Sequence, residues 1–469
     1  MAKVVQRIRG FEGDILGPAD EAYEEARKIW NGMIDRRPAL IARCLSAADV
    51  AAAIRFGRRE GLALAVRSGG HGVAGYAICD GGLVIDLSRM RGVNVDPESR
   101  VASAQAGALW GEVDAASQAQ SLATTGGVVT HTGIAGLTLG GGIGWLMRKH
   151  GLSCDNLLRV ELVTAEGESV GADENENADL FWGIRGGGGN FGVVTRFHYR
   201  LHHLEPTVLA GLILHPAGDA VQALRFYRDF IAEAPDELAV YLSLRTAPAL
   251  PIIPAQLQGK PVVGFVVCYA GPVEEGERVL QPLRRFGSPA ADLVAAKPYV
   301  THQSTFDPTV PHGMHYYWKS HYLPPLSDSA IDTLVEHAWD KRSPFSYTIV
   351  FHMGGAVRRV DDMATSFTGR DAEHAVNINA EWLGADDPND DTGWARKMFE
   401  AVQPHGTGGV YVNFLGDEGE DRVRVAYGAE KYERLARLKA KYDPANVFRL
   451  NQNIRPTPPT FGDRTATRT

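Results

Sequence analysis

Residues 65–82 read AVRSGGHGVAGYAICDGG. A short apolar strand runs into Arg67, Ser68, Gly69, Gly70, His71 and Gly72, and three more glycines follow before Leu83. Glycines on both sides leave His71 on backbone with almost no side-chain cover. Such a stretch fits either a surface turn or a wall against which something large and flat lies, with His71 touching it. The glycine distribution bears on the choice. There are 52 glycines in 469 residues, against a usual ~7%, and they cluster in 69–82, 126–144 and 183–192. Clustering without a repeat points to backbone shaped around a ligand rather than to a fibre.

Working outward, PALIA (38–42), LALAV (62–66), LVIDL (83–87) and VASAQA (101–106) read as strands. Ser46 with Asp49 opens a helix that ends near Gly61. Residues 157–170 read as a hairpin turning at Glu166-Gly167, and 191–201 as a strand. From 207 to about 428, wide and aromatic-rich strands alternate with helical runs, as in a mostly antiparallel sheet with helices on one face. GGVYVNFL is expected to be the last of these strands. Strand alternation would then put Tyr411 and Phe414 on opposite sides. The length implies two domains. Glu205-Pro206 is the expected boundary, because the glycine clusters stop there. The fold class expected is α+β, and the tail after Pro456 reads as disordered.

Other classes have little support. The formal net charge is −8, and no basic patch points to nucleic acid or to a membrane surface. No apolar run of ~18 residues exists. Cys44, Cys79, Cys154 and Cys268 form no CxxC pair, so a cytoplasmic protein with reduced thiols is expected. His312, His315 and His321 lie in a strand-like stretch where i and i+3 face opposite ways, so no metal site is expected. Gly187-x-Gly189-x-x-Gly192 matches the dinucleotide fingerprint by letter, but β-branched VVTRF follows where the fingerprint needs a helix. This segment and Gly136-LTL-Gly140-Gly141-Gly142-I-Gly144 offer unobstructed backbone N–H groups, which suit a pyrophosphate held by neutral amides.

The joint pattern resembles a known family. RSGGHGVAGY, THTGIAGLTLGGGIGWLMRKHGLSCDNL, DLFWGIRGGGGNFGVVT, YVNFLGD and YDPANVFRLNQNI occur in that order. They are the markers of the berberine-bridge-enzyme-like FAD oxidases of the vanillyl-alcohol-oxidase (p-cresol methylhydroxylase, PCMH) superfamily. RRPALIARCLSAADV is similar to the bacterial branch that includes 6-hydroxy-D-nicotine oxidase. The resemblance implies a two-subdomain PCMH-type FAD-binding domain over 1–205 and a substrate domain over 206–428. Residues 429–469 would return to the FAD domain. It implies FAD bonded covalently through His71 to the 8α-methyl carbon, and through Cys154 to C6. Arg67, Ser68, Gly69, Gly70, Gly72, Gly133, Gly136, Gly140, Gly141, Gly142, Gly144, Asn156, Gly192, Val194, Tyr411, Asn413 and Asn451 are the further cofactor-binding positions. The implied activity is hydride abstraction from a C–H beside O or N of a small molecule, with dioxygen reduced to hydrogen peroxide. A dehydrogenase using another acceptor, and a non-catalytic flavin- or ligand-binding protein, are the alternatives.

The chain departs from the family at the general base. Many members read Y-x-N-Y with the second tyrosine as base, and here the stretch is Tyr411-Val-Asn413-Phe414. Plant members carry a glutamate shortly after a Gly-Gly pair, where Gly354-Gly355 is followed here by Ala-Val-Arg-Arg. By chemistry the candidates are His352, Tyr411 and His315, with His352 the first choice.

Overall fold

The computed structural model describes residues 8–384 and 388–458; nearly all of the tail expected to be disordered lies outside them. Strands Asp14–Leu16, Leu40–Arg43, Leu83–Asp86 and Leu64–Arg67 form one sheet in that order. Its last three are parallel, Leu40 and Leu64 both pairing with Leu83. A parallel pair needs a crossover, and helix Ala47–Arg59 lies between the first two of these in sequence, its N-terminus capped by Ser46, which accepts from the Asp49 amide. Every residue of Leu83–Asp86 is buried, which is why Leu83, Val84 and Ile85 are apolar without alternation.

A second, antiparallel sheet runs Val93–Asp96, Val101–Gln105, Val193–Arg200, Leu157–Val163, Ser169–Asp173. Its hairpin turns at Gly167, where φ is +79°, as the Glu-Gly pair suggested. One hydrophobic core spans both sheets and also takes in Val423, Tyr427, Tyr432 and Leu435 from helices Glu420–Tyr427 and Ala429–Tyr442.

The third sheet has eight antiparallel strands, drawn from Thr207–Pro216 through His374–Trp382. Its two faces follow strand period directly. Val240, Leu242, Leu244, Val350 and Ile378 pack under helices Ala220–Ala232, Val273–Arg285, Asp328–His337 and Pro388–Val402. Ala239, Tyr241, Ile349, Phe351 and Ala375 point the other way, into a core shared with Ile143, Trp145 and Leu152 from the glycine-rich region. So the sheet has helices on one side and a cavity on the other. None of the described helices is long and apolar enough to cross a membrane.

The stretch GGVYVNFL is not a strand. Val412–Phe414 form a 3₁₀ turn. Residues i and i+3 eclipse in that conformation, so Tyr411 and Phe414 lie on one side, ring centroids 4.8 Å apart. The expected opposition of the two rings is thus overturned. The polar alternatives its backbone needs are local: the Phe414 amide donates to the Tyr411 carbonyl at 2.9 Å.

Candidate active site

A long cavity separates the glycine-rich backbone from the bare face of the eight-stranded sheet. On one side lie Ser68, Gly69, Gly70, His71, Gly72, Gly133, Gly136, Gly192 and Val194, with Asn451. On the other lie Trp318, Tyr347, Ile349, Phe351, Asn377 and Asn379. Tyr411, Asn413 and Phe414 close the join between them. None of the described lining residues is Asp, Glu, Lys or Arg. An anionic group held there would be held by neutral amides.

The close approach of backbone is built in. A Cβ on Gly69 would stand 2.3 Å from the Gly133 nitrogen, so no side chain fits between the two loops. His71 sits where the halves meet. Its ring stacks on Trp30 at 4.7 Å, and Trp30 stacks in turn on Tyr316 at 3.6 Å and donates its Nε1–H to the Val310 carbonyl at 2.9 Å. His71 Nε2 lies 2.6 Å from His131 Nδ1, while among the described residues Nδ1 has the Thr132 hydroxyl as its hydrogen-bonding neighbour, at 3.5 Å. Burial, then the neighbouring His131 and His312, hold His71 well below the usual histidine value, so it is neutral.

His71, His131 and His312 bring ring nitrogens within 4.8 Å of one another. Three imidazoles could ligate a metal, but the facing nitrogens of His71 and His131 are at hydrogen-bonding distance. A nitrogen spent that way does not aim a lone pair at a cation.

The remaining sequence candidates divide sharply. The Tyr411 hydroxyl accepts from the Gly142 amide at 2.8 Å, the Ile143 amide at 3.3 Å and Asn413 Nδ2 at 2.8 Å. Burial pushes the phenol up to about 12. It is a fastener rather than a base. Asn413 also donates to the Leu137 carbonyl, at 3.0 Å, and Asn451 to that of Gly189, at 3.2 Å. Arg67 is not on the wall; it pairs with Asp86 at 2.6 Å and braces the end of the strand before the loop.

Gly140, Gly141, Gly142 and Gly144 are not on the wall either. The Gly140 amide donates to the Gly136 carbonyl and the Gly141 amide to the Thr138 carbonyl, and the Gly142 amide is held by Tyr411. These glycines make a tight turn behind the cavity. Gly144 approaches the Gly126 carbonyl so closely that a Cβ would stand 1.8 Å from its oxygen. Cys154 packs behind the same turn, its amide donating to the Gly141 carbonyl at 2.8 Å. It is fully buried, it does not reach the cavity, and burial raises its thiol well above the usual value. Asn156 is spent on the His150 and Leu152 carbonyls and on His202.

His352 does not line the cavity. It follows Phe351 on strand Tyr347–His352, and alternation turns it to the opposite face. There it joins Arg148 and, at 2.6 Å, Glu373. His315 begins its strand edge-on to Trp382, at 5.4 Å, away from the cavity. Neither is placed to take a proton from a molecule in it.

Sequence reasoning missed Trp30, His131, Tyr347, Asn377 and Asn379. The last three carry a readable signal, since YTIVFH and AVNINAEW put polar groups at strand period among apolar ones. Asn379 Nδ2 donates to the carbonyls of Asn377 at 3.0 Å and Tyr347 at 3.4 Å. Its buried Oδ1, like that of Asn377, has no partner.

Glycine backbone facing a wide aromatic sheet, with a neutral imidazole at the join, makes a cavity suited to a large planar ligand. Comparison with known proteins says which. A family model for an FAD binding domain matches residues 38–173, and one described as berberine and berberine like matches 410–455. The (R)-6-hydroxynicotine oxidase of Paenarthrobacter nicotinovorans is 32% identical over 463 residues, covering 95% of this chain and 97% of that one. The structure of 6-hydroxy-D-nicotine oxidase from Arthrobacter nicotinovorans superposes with a TM-score of 0.85 at 30% identity, covering 97% of this chain and 100% of that one. Glucooligosaccharide oxidase from Acremonium strictum, described with a 6-S-cysteinyl, 8α-N1-histidyl FAD, shares the fold at a TM-score of 0.83 and 24% identity, over 95% and 97% of the two chains. The chain belongs to the berberine-bridge-enzyme-like family of FAD-linked oxidoreductases, with an α+β, PCMH-type fold. The cavity fits that cofactor: amide-lined backbone without cations at one end, an aromatic wall at the other, and His71 between them.

Proposed function

We propose that this protein is an FAD-dependent oxidase with its flavin joined to the chain by one bond, through Nδ1 of His71. The observation that carries the reading is the placement of His71 at the join of the backbone wall and the sheet wall, with its Nε2 taken by His131 and its Nδ1 beside the Thr132 hydroxyl. Residues 1–205 and 429–469 hold the cofactor in this reading, and 206–428 form the roof that selects substrate. A second bond to Cys154 is not part of it, since Cys154 is fully buried behind the glycine turn and is not among the residues that line the cavity. Four free, buried cysteines accord with a reducing, cytoplasmic setting.

Bound flavin supplies the acceptor for a hydride. The chain orients the donor. Trp318, Ile349 and Phe351 offer an apolar and aromatic surface to a small molecule, and the partnerless Asn377 and Asn379 oxygens accept hydrogen bonds from it. That wall suits an amine or alcohol that donates N–H or O–H beside the C–H to be oxidised. Tyr347 is a phenol of that wall, and burial, with the neighbouring Glu381 carboxyl, keeps it protonated, so it is not a resting base. Dioxygen takes the electrons and leaves as hydrogen peroxide.

The test is a panel of cyclic amines, phenolic alcohols and sugars mixed anaerobically with the protein, followed by admission of air. Bleaching of the flavin and then one peroxide per turnover support the reading. Bleaching that only a dye acceptor reverses would move the protein to the dehydrogenases.

A further inference from the structure

We propose that His131 is the positioning residue for flavin attachment: it fixes the tautomer of His71 and takes its ring proton, so that the chain links the cofactor to itself. This rests on the covalent reading above. The geometry assigns each nitrogen a task. Nε2 of His71 is capped by His131 Nδ1 at 2.6 Å. Nδ1, whose described neighbour is the Thr132 hydroxyl at 3.5 Å, is by elimination the nitrogen left for the flavin. A neutral imidazole carries one N–H. With that hydrogen on Nε2 and donated to His131, Nδ1 keeps an in-plane lone pair for the flavin. Ring orientation is held as well as protonation, because Trp30 stacks on the His71 face with an interplanar angle of 18°. His131 is held from its own side: the backbone before it is tied down by the Thr130 amide donating to Asp307 at 2.9 Å.

The step balances as follows. The Nδ1 lone pair forms a bond to the 8α-methyl carbon of the flavin. One C–H bond of that methyl group breaks, and two electrons pass into the ring system. The proton from carbon and the Nε2 proton, received by His131 and passed on, are matched by the two protons the reduced ring takes up. Two electrons and two protons then leave to dioxygen, which becomes hydrogen peroxide, and the oxidised ring stays bonded to Nδ1. Proton acceptance by a positioned base contributes roughly 10²–10⁴ in rate, so loss of His131 should slow linkage far more than it weakens FAD binding.

The experiment follows intact mass under denaturing conditions, together with in-gel flavin fluorescence in acid, for full-length protein incubated with FAD in air. The parent should become fully linked, and His71→Ala should bind FAD without linking it. His131→Ala should hold FAD in the native state and link it about a hundredfold more slowly. Added imidazole should restore part of that rate, an effect that a purely structural role would not give. His131→Gln, whose amide oxygen can accept the Nε2 hydrogen bond but not the proton, should fall between the two; it decides the matter by the same readouts if the alanine variant fails to hold FAD. Linkage at the parent rate in a folded His131 variant overturns the proposal alone. A parent protein that never links FAD overturns the covalent reading and the proposal with it.

Discussion

Asn379 shows how a residue is assigned a role by what it lacks. Its Nδ2 is spent on two carbonyls, and its Oδ1 is buried without a partner. Leaving a buried acceptor unsatisfied costs ~1–3 kcal/mol, a cost relieved when a donor arrives. Asn379→Ala should therefore raise KM for the true substrate about tenfold, equivalent to ~1.4 kcal/mol, with FAD content unchanged; an unaltered KM in steady-state assays would remove the residue from the substrate wall. Tyr347→Phe removes the wall's phenol and its contact with the buried Glu381, and should lower kcat/KM by a similar factor. None of the described lining residues is a carboxylate, and the His71 imidazole among them is held neutral. For an amine substrate, kcat/KM should thus rise with pH through the substrate's own ammonium pKa. A limb that does not move when the substrate's pKa is changed would show a base on the protein. His71 was legible in the sequence because glycines isolate it. Trp30 and His131 were not, because nothing in KIWNG or THTG states that 40 or 60 residues of chain fold back to bring them against one ring.

At the scale of elements, the turn Val412–Phe414 fastens the C-terminal segment to the glycine-rich turn through one hydroxyl. Tyr411→Phe would leave the Gly142 and Ile143 amides and Asn413 Nδ2 without their acceptor. A loss of about 1–3 kcal/mol is expected, read as a lower thermal midpoint and lower FAD occupancy. Gly141 has φ of +128°, and a Cβ there would stand 2.6 Å from the Phe367 ring. Gly141→Val should give poorly folded protein, and the cause would be packing behind the cavity rather than obstruction of a phosphate. Helices and strands with clear period were readable to within a few residues, as with Leu238–Thr246 and His315–Leu323. YVNF was misread because its β-branched and aromatic composition favours a strand, while the hydrogen bonds of Tyr411 and Asn413 are tertiary and reward a turn.

At the scale of the whole molecule, the C-terminal helix Ala429–Tyr442 is locked to the FAD-binding core by Lys439. Its ammonium donates to Asp443 at 2.6 Å and to the carbonyls of Asn190 and Phe448 at 2.7 and 2.9 Å, all buried. Removing one partner of a buried pair costs ~3–5 kcal/mol. Lys439→Met should lower the urea midpoint accordingly and expose 443–454 to protease before the rest of the chain; a variant as stable as the parent would show that the segment is held by its apolar contacts alone. Stability should also fall in acid. Burial holds His302 and His374 down to about 3, against ~6.5 in the unfolded chain. Between those values the unfolded state binds more protons, so stability present above pH ~6.5 is lost as pH falls toward 3. The slope is about 1.4 kcal/mol per unit for each histidine, measurable by denaturant unfolding at stepped pH.

What the sequence determined by itself is what depends on neighbours along the chain. Apolar period marked most of the strands and helices and a large sheet with helices on one face. Glycine clustering marked part of the backbone that lines the cavity, at Gly69, Gly70, Gly72, Gly133, Gly136 and Gly192, and ordered motifs marked the family. What only the tertiary structure decided depends on which side of an element a residue faces and on what lies beyond it. One step along a strand moved His352 off the cavity face that Phe351 occupies. One turn of 3₁₀ helix brought Tyr411 and Phe414 together. Packing behind a glycine turn leaves Cys154 off the lining of the cavity. A one-residue change of phase reverses a side chain's direction, and local propensity does not fix phase across loops; the packing of the sheet against the FAD-binding core does.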